Sequence, residues 1–269
     1  MTFPVLTAFS SCPNDTFIFH AMIHGLVPTG DLAFSPRIGD VEFLNRQAFE
    51  GVYPLTKLSS FAYLQLKERY RLMRSGAALG FGCGPLVIAP REGTDLSGAR
   101  LAVPGEHTTA CLLLRLWRPD LSRLFFVRFD EIIPGILSGR FDAGVIIHEG
   151  RFVYQRHDLQ KIVDLGEWWE QETGLPIPLG CIALRREGFE ERADEIDAVV
   201  KSSVSHALQN PEDSGDFVRR YAQEMEEAVI REHIRLYVND FTVDMGEKGI
   251  ETLRVLEEKA RCAGILTSP

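Results

Sequence analysis

The stretch Asp142-Ala143-Gly144-Val145-Ile146-Ile147-His148-Glu149-Gly150 predicts a buried strand that ends in a polar turn. Its β-branched residues are typical of a core strand, and the next polar side chain is that of His148. In open α/β sheets, ligands bind at the carboxyl ends of the strands. An imidazole there can act as a general base, because its reference pKa is about 6.5. An ordinary solvated or capped histidine is the alternative that this stretch alone leaves open.

Short apolar runs alternate with amphipathic stretches through the first two thirds of the chain. Strands are predicted at Val5–Phe9, Leu32–Ser35, Tyr53–Leu55, Leu86–Ala89, Leu101–Val103, Leu124–Phe129, Ala143–Ile147, Lys161–Val163 and Cys181–Leu184. This alternation is typical of an α/β architecture with largely parallel sheets. From about Glu190 the periodicity becomes that of helices, so the C-terminal third is predicted to be helical.

Two punctuated segments, Pro90–Thr94 and Arg185–Gly188, divide the chain. A self-contained βα series of under 100 residues lies between them. One economical arrangement has a larger lobe, residues 1–90 plus 188–269, and a smaller lobe, residues 91–187. The helical tail then packs on the first lobe, which composition alone does not establish.

Composition is that of a soluble globular enzyme, with 45% hydrophobic and 25% charged residues in a chain of 269. The net charge of −9 disfavours nucleic acid and anionic membrane surfaces as partners. The start of the chain lacks the pattern of a secretory signal, and no apolar run approaches the length of a membrane span. The five cysteines form no CxxC pair, so we expect reduced thiols in a cytoplasmic protein.

Three turns follow predicted strands and open predicted helices: Ser10–Thr16, Thr56–Ser60 and Pro104–Ala110. Each is rich in residues that cap helices, and the free N–H groups of a helix start can bind an anion. In the second turn, Lys57 adds a cation that can form charge-assisted hydrogen bonds with a carboxylate. Plain capping is the alternative for each turn. Together they predict a cleft that contacts one polar ligand from both lobes.

Several familiar sites are not supported by the sequence. The glycines between residues 76 and 84 match neither a dinucleotide fingerprint nor a P-loop, and we interpret them as a flexible connector lining the cleft. His20 and His24 lie four residues apart, as a metal pair can, but a structural role is favoured because no third ligand is evident. The His148-Glu149 pair is not part of an HExxH motif, and no GxSxG motif is present. We therefore expect neither a metal nor a cofactor.

Longer motifs carry a family resemblance along nearly the whole chain. They are Cys12–Phe19, Pro54–Ser59, Arg74–Gly80, His107–Ala110, Ile146–Phe152, Asp164–Trp169, Leu179-Gly180 and Tyr237–Asn239. In these motifs the chain resembles the 1,4-dihydroxy-6-naphthoate synthases of the futalosine route to menaquinone. Ser11 stands where that family usually has proline, which loosens the first turn but removes no functional group.

The resemblance implies a two-lobed α/β fold like that of the type 2 periplasmic binding proteins, with a ligand cleft between the lobes. It also implies that the chain crosses twice between lobes and that the C-terminal helices rejoin the first lobe. The implied substrate is cyclic dehypoxanthine futalosine. Carbon–carbon cleavage would release its sugar-derived fragment and leave 1,4-dihydroxy-6-naphthoate.

The resemblance also implies roles for six residues. His148 matches the catalytic base of the family. Substrate contacts match Lys57, Leu58 and Ser59 in one lobe and Thr109 and Ala110 in the other.

Two other functions are compatible with the same fold. One is chorismate dehydratase, an enzyme of the same pathway, although the His148 segment and the Thr56–Ser59 turn favour the synthase. The other is a non-catalytic solute-binding protein, which the base at the cleft and the expected absence of a signal peptide disfavour.

Overall fold

The computed structural model of the chain describes residues 2–223 and 226–266. Within these ranges the strands are β1 (Phe3–Ser10), β2 (Leu32–Gly39), β3 (Leu55–Ser59), β4 (Tyr70–Leu72), β5 (Ala78–Gly80), β6 (Leu86–Ala89), β7 (Leu101–Val103), β8 (Leu124–Phe126), β9 (Ala143–Ile146), β10 (Gln160–Asp164) and β11 (Ile177–Arg185). The helices are α1 (Pro13–Ile23), α2 (Val41–Phe49), α3 (Ser60–Leu66), α4 (Thr109–Trp117), α5 (Ile132–Leu137), α6 (Gly150–Val153), α7 (Leu165–Thr173), α8 (Ala193–Gln209), α9 (Gly215–Tyr221), α10 (Glu227–Tyr237), α11 (Asp240–Val243) and α12 (Gly246–Cys262). Among the helices described, none combines the length and low polarity that a membrane span requires.

The strands form two mixed sheets. The six-stranded sheet has the order β2-β1-β3-β11-β4, with β5 also paired to β11, and the five-stranded sheet has the order β10-β6-β9-β7-β8. Strands joined through helices run parallel, as β1 does to β2 and β7 to β8. In contrast, β11 runs antiparallel to β3, and β6 runs antiparallel to β9 and β10. The α/β prediction is confirmed, but the sheets are less uniformly parallel than we expected.

The chain crosses between the sheets twice. The first crossing follows β5 and leads into β6, and the second follows α7 and leads into β11. Consequently β6, within residues 1–90, and β11, within residues 91–187, each pair with the sheet of the other predicted lobe. The exact bounds of the lobes stay a prediction, and sheet membership favours earlier boundaries. Pro90 directly follows β6, and Arg185 is the last residue of β11. The two punctuated segments therefore begin at strand ends and not at the crossings.

The third predicted strand has different bounds in the structure. We predicted Tyr53–Leu55 with a turn from Thr56, whereas β3 begins at Leu55 and continues to Ser59. All five of its residues are buried. The polar residues from Thr56 to Ser59 predict a turn from sequence alone, because the partners that bury their side chains lie elsewhere in the fold.

The C-terminal helices α8 to α10 pack against α1. Ile196, Val204, Val218 and Ile230, from α8 to α10, share one hydrophobic core with Phe19 of α1. The hydroxyl of Ser203 in α8 donates to Ile18 O at 2.6 Å and accepts from Met22 N at 3.0 Å. These contacts join the tail to the helix that follows β1, and α10 thereby reaches the cleft.

Close backbone packing at the first crossing leads to a test of the fold. A Cβ added at Gly84 would lie 2.2 Å from Gly166 N in α7, so one backbone would have to shift. We expect Gly84→Ala to lower the free energy of unfolding by about 1–3 kcal/mol, measured by urea denaturation. The control is Gly215→Ala, where the new Cβ would meet nothing closer than 3.5 Å, so stability should be unchanged or slightly higher. Equal stability of the two variants would contradict the described crossing.

Candidate active site

A cavity lies between the two sheets. The six residues predicted to act on substrate all line it: His148, Lys57, Leu58, Ser59, Thr109 and Ala110. The other lining residues are Ser10, Asn14, Asp15, Val41, Ala78, Cys83, Pro85, Thr108, Ile147, Leu179, Gly180 and Tyr237. The structure therefore brings the predicted residues together, while their roles stay predictions.

Lys57 and Asp15, which both line this cavity, form a buried ion pair. Its Nζ lies 2.9 Å from Asp15 Oδ1 and donates to Gly76 O at 2.9 Å. Asp15 Oδ2 also accepts from Ser10 N at 3.2 Å and from Ser10 Oγ at 2.7 Å. A buried pair is stable only when such further hydrogen bonds satisfy it. The Lys57 charge is thus already balanced by Asp15, which makes it a weaker anchor for a carboxylate than the sequence indicated.

A chain of hydrogen bonds continues from Asp15 to the C-terminal helices. Asn14 Nδ2 donates to Asp15 Oδ1 at 2.9 Å, and Asn14 Oδ1 lies 2.9 Å from His233 Nε2 in α10. Because an amide oxygen only accepts, His233 Nε2 is the donor. Burial, and then the proximity of His148, lower the pKa of His233 well below its usual value, so the ring is neutral. Nothing local in the sequence predicted His233, because it reaches the cleft only through the packing of α10.

The turn at residues 104–110 is partly filled by a side chain of this protein. Glu42 of α2 accepts from Glu106 N at 3.1 Å and from His107 N at 3.2 Å. Glu42 also accepts from Asn45 Nδ2, and Asn45 Oδ1 accepts from Ser59 N at 3.0 Å. These N–H groups hold an internal carboxylate, so they are not available to a ligand. The bonds connect the two halves of the molecule on one side of the cleft.

The start of α4 retains N–H groups that face no acceptor within the helix. The Thr108 hydroxyl caps the helix by accepting from Cys111 N at 3.2 Å, as its N-cap sequence indicated. The Thr109 hydroxyl donates to Leu179 O at 2.8 Å and accepts from Phe61 N at 3.2 Å, which joins the halves again. The backbone N–H groups of Thr109 and Ala110 belong to the first turn, where a helix can bind an anion.

His148 follows β9 in a left-handed backbone conformation, with φ of 55°. Such a φ is uncommon outside glycine and marks a conformation imposed by its surroundings. The ring packs edge-on against Phe129, with centroids 5.0 Å apart. Its Nδ1 lies 3.2 Å from Cys12 Sγ, whereas Nε2 is buried and has no hydrogen-bond partner among the described residues. Burial lowers the pKa of His148 to about 4, an effect that Asp15 opposes and Lys57 reinforces.

Cys12, His148 and Glu149 each place one ligand atom within 4.8 Å of the others. Zinc binds cysteine as the thiolate. Burial, followed by the charges of Glu149 and Asp15, raises the pKa of the Cys12 thiol well above its usual value. With no cation beside it, the Cys12 side chain is therefore a neutral thiol that can take part in hydrogen bonds. In the part of the chain that the structure describes, His20 and His24 belong to no such group.

A family model described as "Menaquinone biosynthesis" matches residues 6–261 of the chain. The sequence is 48% identical over 257 residues to a 1,4-dihydroxy-6-naphthoate synthase of Thermus thermophilus, covering 96% of this chain and 94% of the relative. It is 42% identical over 264 residues to the enzyme of the same name from Streptomyces coelicolor, covering 96% of this chain and 93% of the relative. These matches confirm the resemblance found in the motifs.

Solved structures confirm the fold. A crystal structure of a protein from Archaeoglobus fulgidus superimposes with a TM-score of 0.93 at 36% identity, covering 98% of both chains. A Candida albicans protein described as having the generic periplasmic binding protein fold gives a TM-score of 0.72 at 12% identity. That match covers 99% of this chain and 92% of the other. The chain therefore has the two-lobed, periplasmic-binding-protein-like fold that we predicted.

The buried ion pair leads to a test by unfolding. Replacing either partner alone, as Asp15→Asn or Lys57→Met, leaves an uncompensated buried group and should lower the free energy of unfolding by about 3–5 kcal/mol. The double variant should lose clearly less than the sum of the two single losses, since each loss includes the stranded partner. Chemical denaturation of all four proteins measures this coupling.

The exposed Arg254–Glu258 pair supplies the matched control. Its two side chains are 65% and 64% exposed, so Glu258→Gln should change stability by no more than about 0.5 kcal/mol. If the losses of stability in Asp15→Asn and Lys57→Met are additive and as small as that of the control, the buried pair does not stabilise the fold.

Proposed function

The chain belongs to the menaquinone biosynthesis family, and from this premise we propose that it is a 1,4-dihydroxy-6-naphthoate synthase acting on cyclic dehypoxanthine futalosine. The two curated relatives carry that enzyme name. The proposed reaction is a carbon–carbon lyase step that releases the sugar-derived fragment of the substrate and leaves the naphthoate.

The observation that carries the proposal is the environment of His148. A general base at neutral pH must be unprotonated and must have a nitrogen free to accept a proton. Burial lowers the pKa of His148 to about 4, which keeps the ring neutral at pH 7. Its Nε2 makes no hydrogen bond to the described protein, so this nitrogen remains for the substrate.

The walls of the cavity suit an aromatic carboxylate. The apolar side chains of Leu58, Ile147 and Leu179 line the space, and they can pack against the faces of a ring. The N–H groups of Thr109 and Ala110 at the start of α4 can bind the carboxylate. The lobe that contains the five-stranded sheet would then bind one end of the ligand, while the residues of β3 contact it from the other lobe.

In the proposed mechanism, neutral His148 removes a proton from the substrate through Nε2. The electron pair left on the substrate drives cleavage of the carbon–carbon bond and aromatisation of the ring that remains. The Asp15 carboxylate favours the imidazolium that forms, since its charge acts to raise the pKa of His148. General base catalysis typically contributes about 10²–10⁴-fold. Because Nε2 is buried, substrate would enter with the lobes apart, and closure would then exclude water.

Conversion of the proposed substrate is the first test. Anaerobic incubation of the purified chain with cyclic dehypoxanthine futalosine should yield 1,4-dihydroxy-6-naphthoate, identified by mass spectrometry. Return of the substrate unchanged, although bound, would favour the solute-binding alternative. Consumption of chorismate in a parallel incubation, without conversion of the futalosine compound, would favour the dehydratase.

Replacement of His148 is the second test. Asparagine tolerates a positive φ, so His148→Asn keeps the left-handed backbone while removing the base. We expect kcat to fall by about 10²–10⁴-fold without loss of the folded state, as followed by circular dichroism. The matched control is His157→Asn, which changes an exposed histidine in a short helical turn and should leave kcat unchanged. Wild-type turnover by His148→Asn would show that the base lies elsewhere.

A further inference from the structure

The thiol of Cys12 is the hydrogen-bond partner of the His148 ring in the described structure. Its Sγ lies 3.2 Å from Nδ1, and Nε2 has no partner among the described residues. The two residues are 136 positions apart and follow strands of different sheets, β1 and β9. The tautomer of a neutral histidine is set by the hydrogen bond that one of its nitrogens makes. Cys12 is therefore in a position to decide which nitrogen of His148 carries the proton.

The contact can form in two directions, with opposite consequences. If the thiol donates to Nδ1, the ring proton is on Nε2, and that nitrogen cannot accept another. If Nδ1–H donates to the sulfur, Nε2 keeps its lone pair and can act as a base. The first arrangement is incompatible with the proposed function, and the second is required by it.

The buried carboxylate of Glu149 favours the second direction. One oxygen of Glu149 lies within 4.8 Å of both Cys12 Sγ and a ring nitrogen of His148. The positive end of the S–H dipole is attracted to the carboxylate at this distance, which favours an S–H directed toward Glu149. The lone pairs of sulfur then face Nδ1–H of His148. Burial, Glu149 and Asp15 all raise the pKa of Cys12, so the group remains a thiol with a hydrogen to orient.

We propose that Cys12 is a positioning residue, which accepts a hydrogen bond from Nδ1–H of His148 and thereby leaves Nε2 unprotonated toward the substrate. This inference rests on the proposed role of His148 as the base. Because the partners follow strands of different sheets, the bond also joins the two lobes of the molecule.

Nitrogen chemical shifts test the tautomer directly. In full-length protein labelled with 15N-histidine, without substrate at pH 7, Nδ1 of His148 should show a pyrrole-like shift and Nε2 a pyridine-like shift. The signals are assigned by their loss in His148→Asn. In Cys12→Ala the pattern should move toward the tautomer with the proton on Nε2. In Cys12→Ser it should stay as in wild type, because a hydroxyl can also accept from Nδ1–H.

Kinetics supply the second readout. Cys12→Ala should lower kcat by about 10–100-fold with KM nearly unchanged, an effect comparable to that of other groups that orient a histidine. Cys12→Ser should recover most of the lost kcat. The control is Cys181→Ala, which removes a buried thiol that does not line the cavity and should alter neither kcat nor the His148 shifts.

A pyridine-like Nδ1 in the wild-type protein, or an unchanged pattern in Cys12→Ala, would overturn the role of Cys12. The shifts are measured without turnover, so they decide this point even where a variant loses activity. Failure of the wild-type protein to convert the futalosine compound would instead overturn the proposed function. The two failures are thus distinguished by separate experiments on the same protein.

Discussion

The ion pair between Lys57 and Asp15 fixes the part of the structure on which the rest of the site depends. It joins β3 to the first turn of α1, and the second bond of Lys57 reaches Gly76 O before β5. Asp15 also orients Asn14, and through that amide the pair extends to His233 in α10. Charges this deeply buried persist only where every partner is in place. The pair therefore holds strand, turn and tail helix in one arrangement at the cavity floor.

Burial is the main reason why His148 is neutral, since it lowers the pKa of the ring. The ion pair does not reverse this effect: the Asp15 carboxylate favours an imidazolium nearby, but the Lys57 charge acts on the pKa of His148 in the opposite direction. Because Lys57 is already paired with Asp15, it is not free to bind a carboxylate. In the proposed function, the apolar walls of the cavity and the N–H groups of α4 bind the substrate instead.

Local patterns predicted the features that depend on local chemistry. The apolar run before His148 is a core strand, and Thr108, in a turn rich in capping residues, caps α4. The sequence predicts a turn at Lys57, because β3 carries polar residues and the partner of Lys57, Asp15, lies far away in sequence. The positive φ of His148, its contact with Cys12 and the arrival of His233 all result from long-range packing. Periodicity and turn chemistry carry no information on such contacts, so the assignment of His148 as the base depends on the chain-long resemblance and stays a proposal.

Titration of the His148 ring by NMR, following its Cε1 resonance as pH is lowered, tests whether burial keeps the imidazole neutral beside the cavity. The ring should stay neutral through pH 6 and take up its proton only near its lowered pKa of about 4. Protonation near the reference value of about 6.5 would show that the ring is solvated like an ordinary histidine, and would contradict the account.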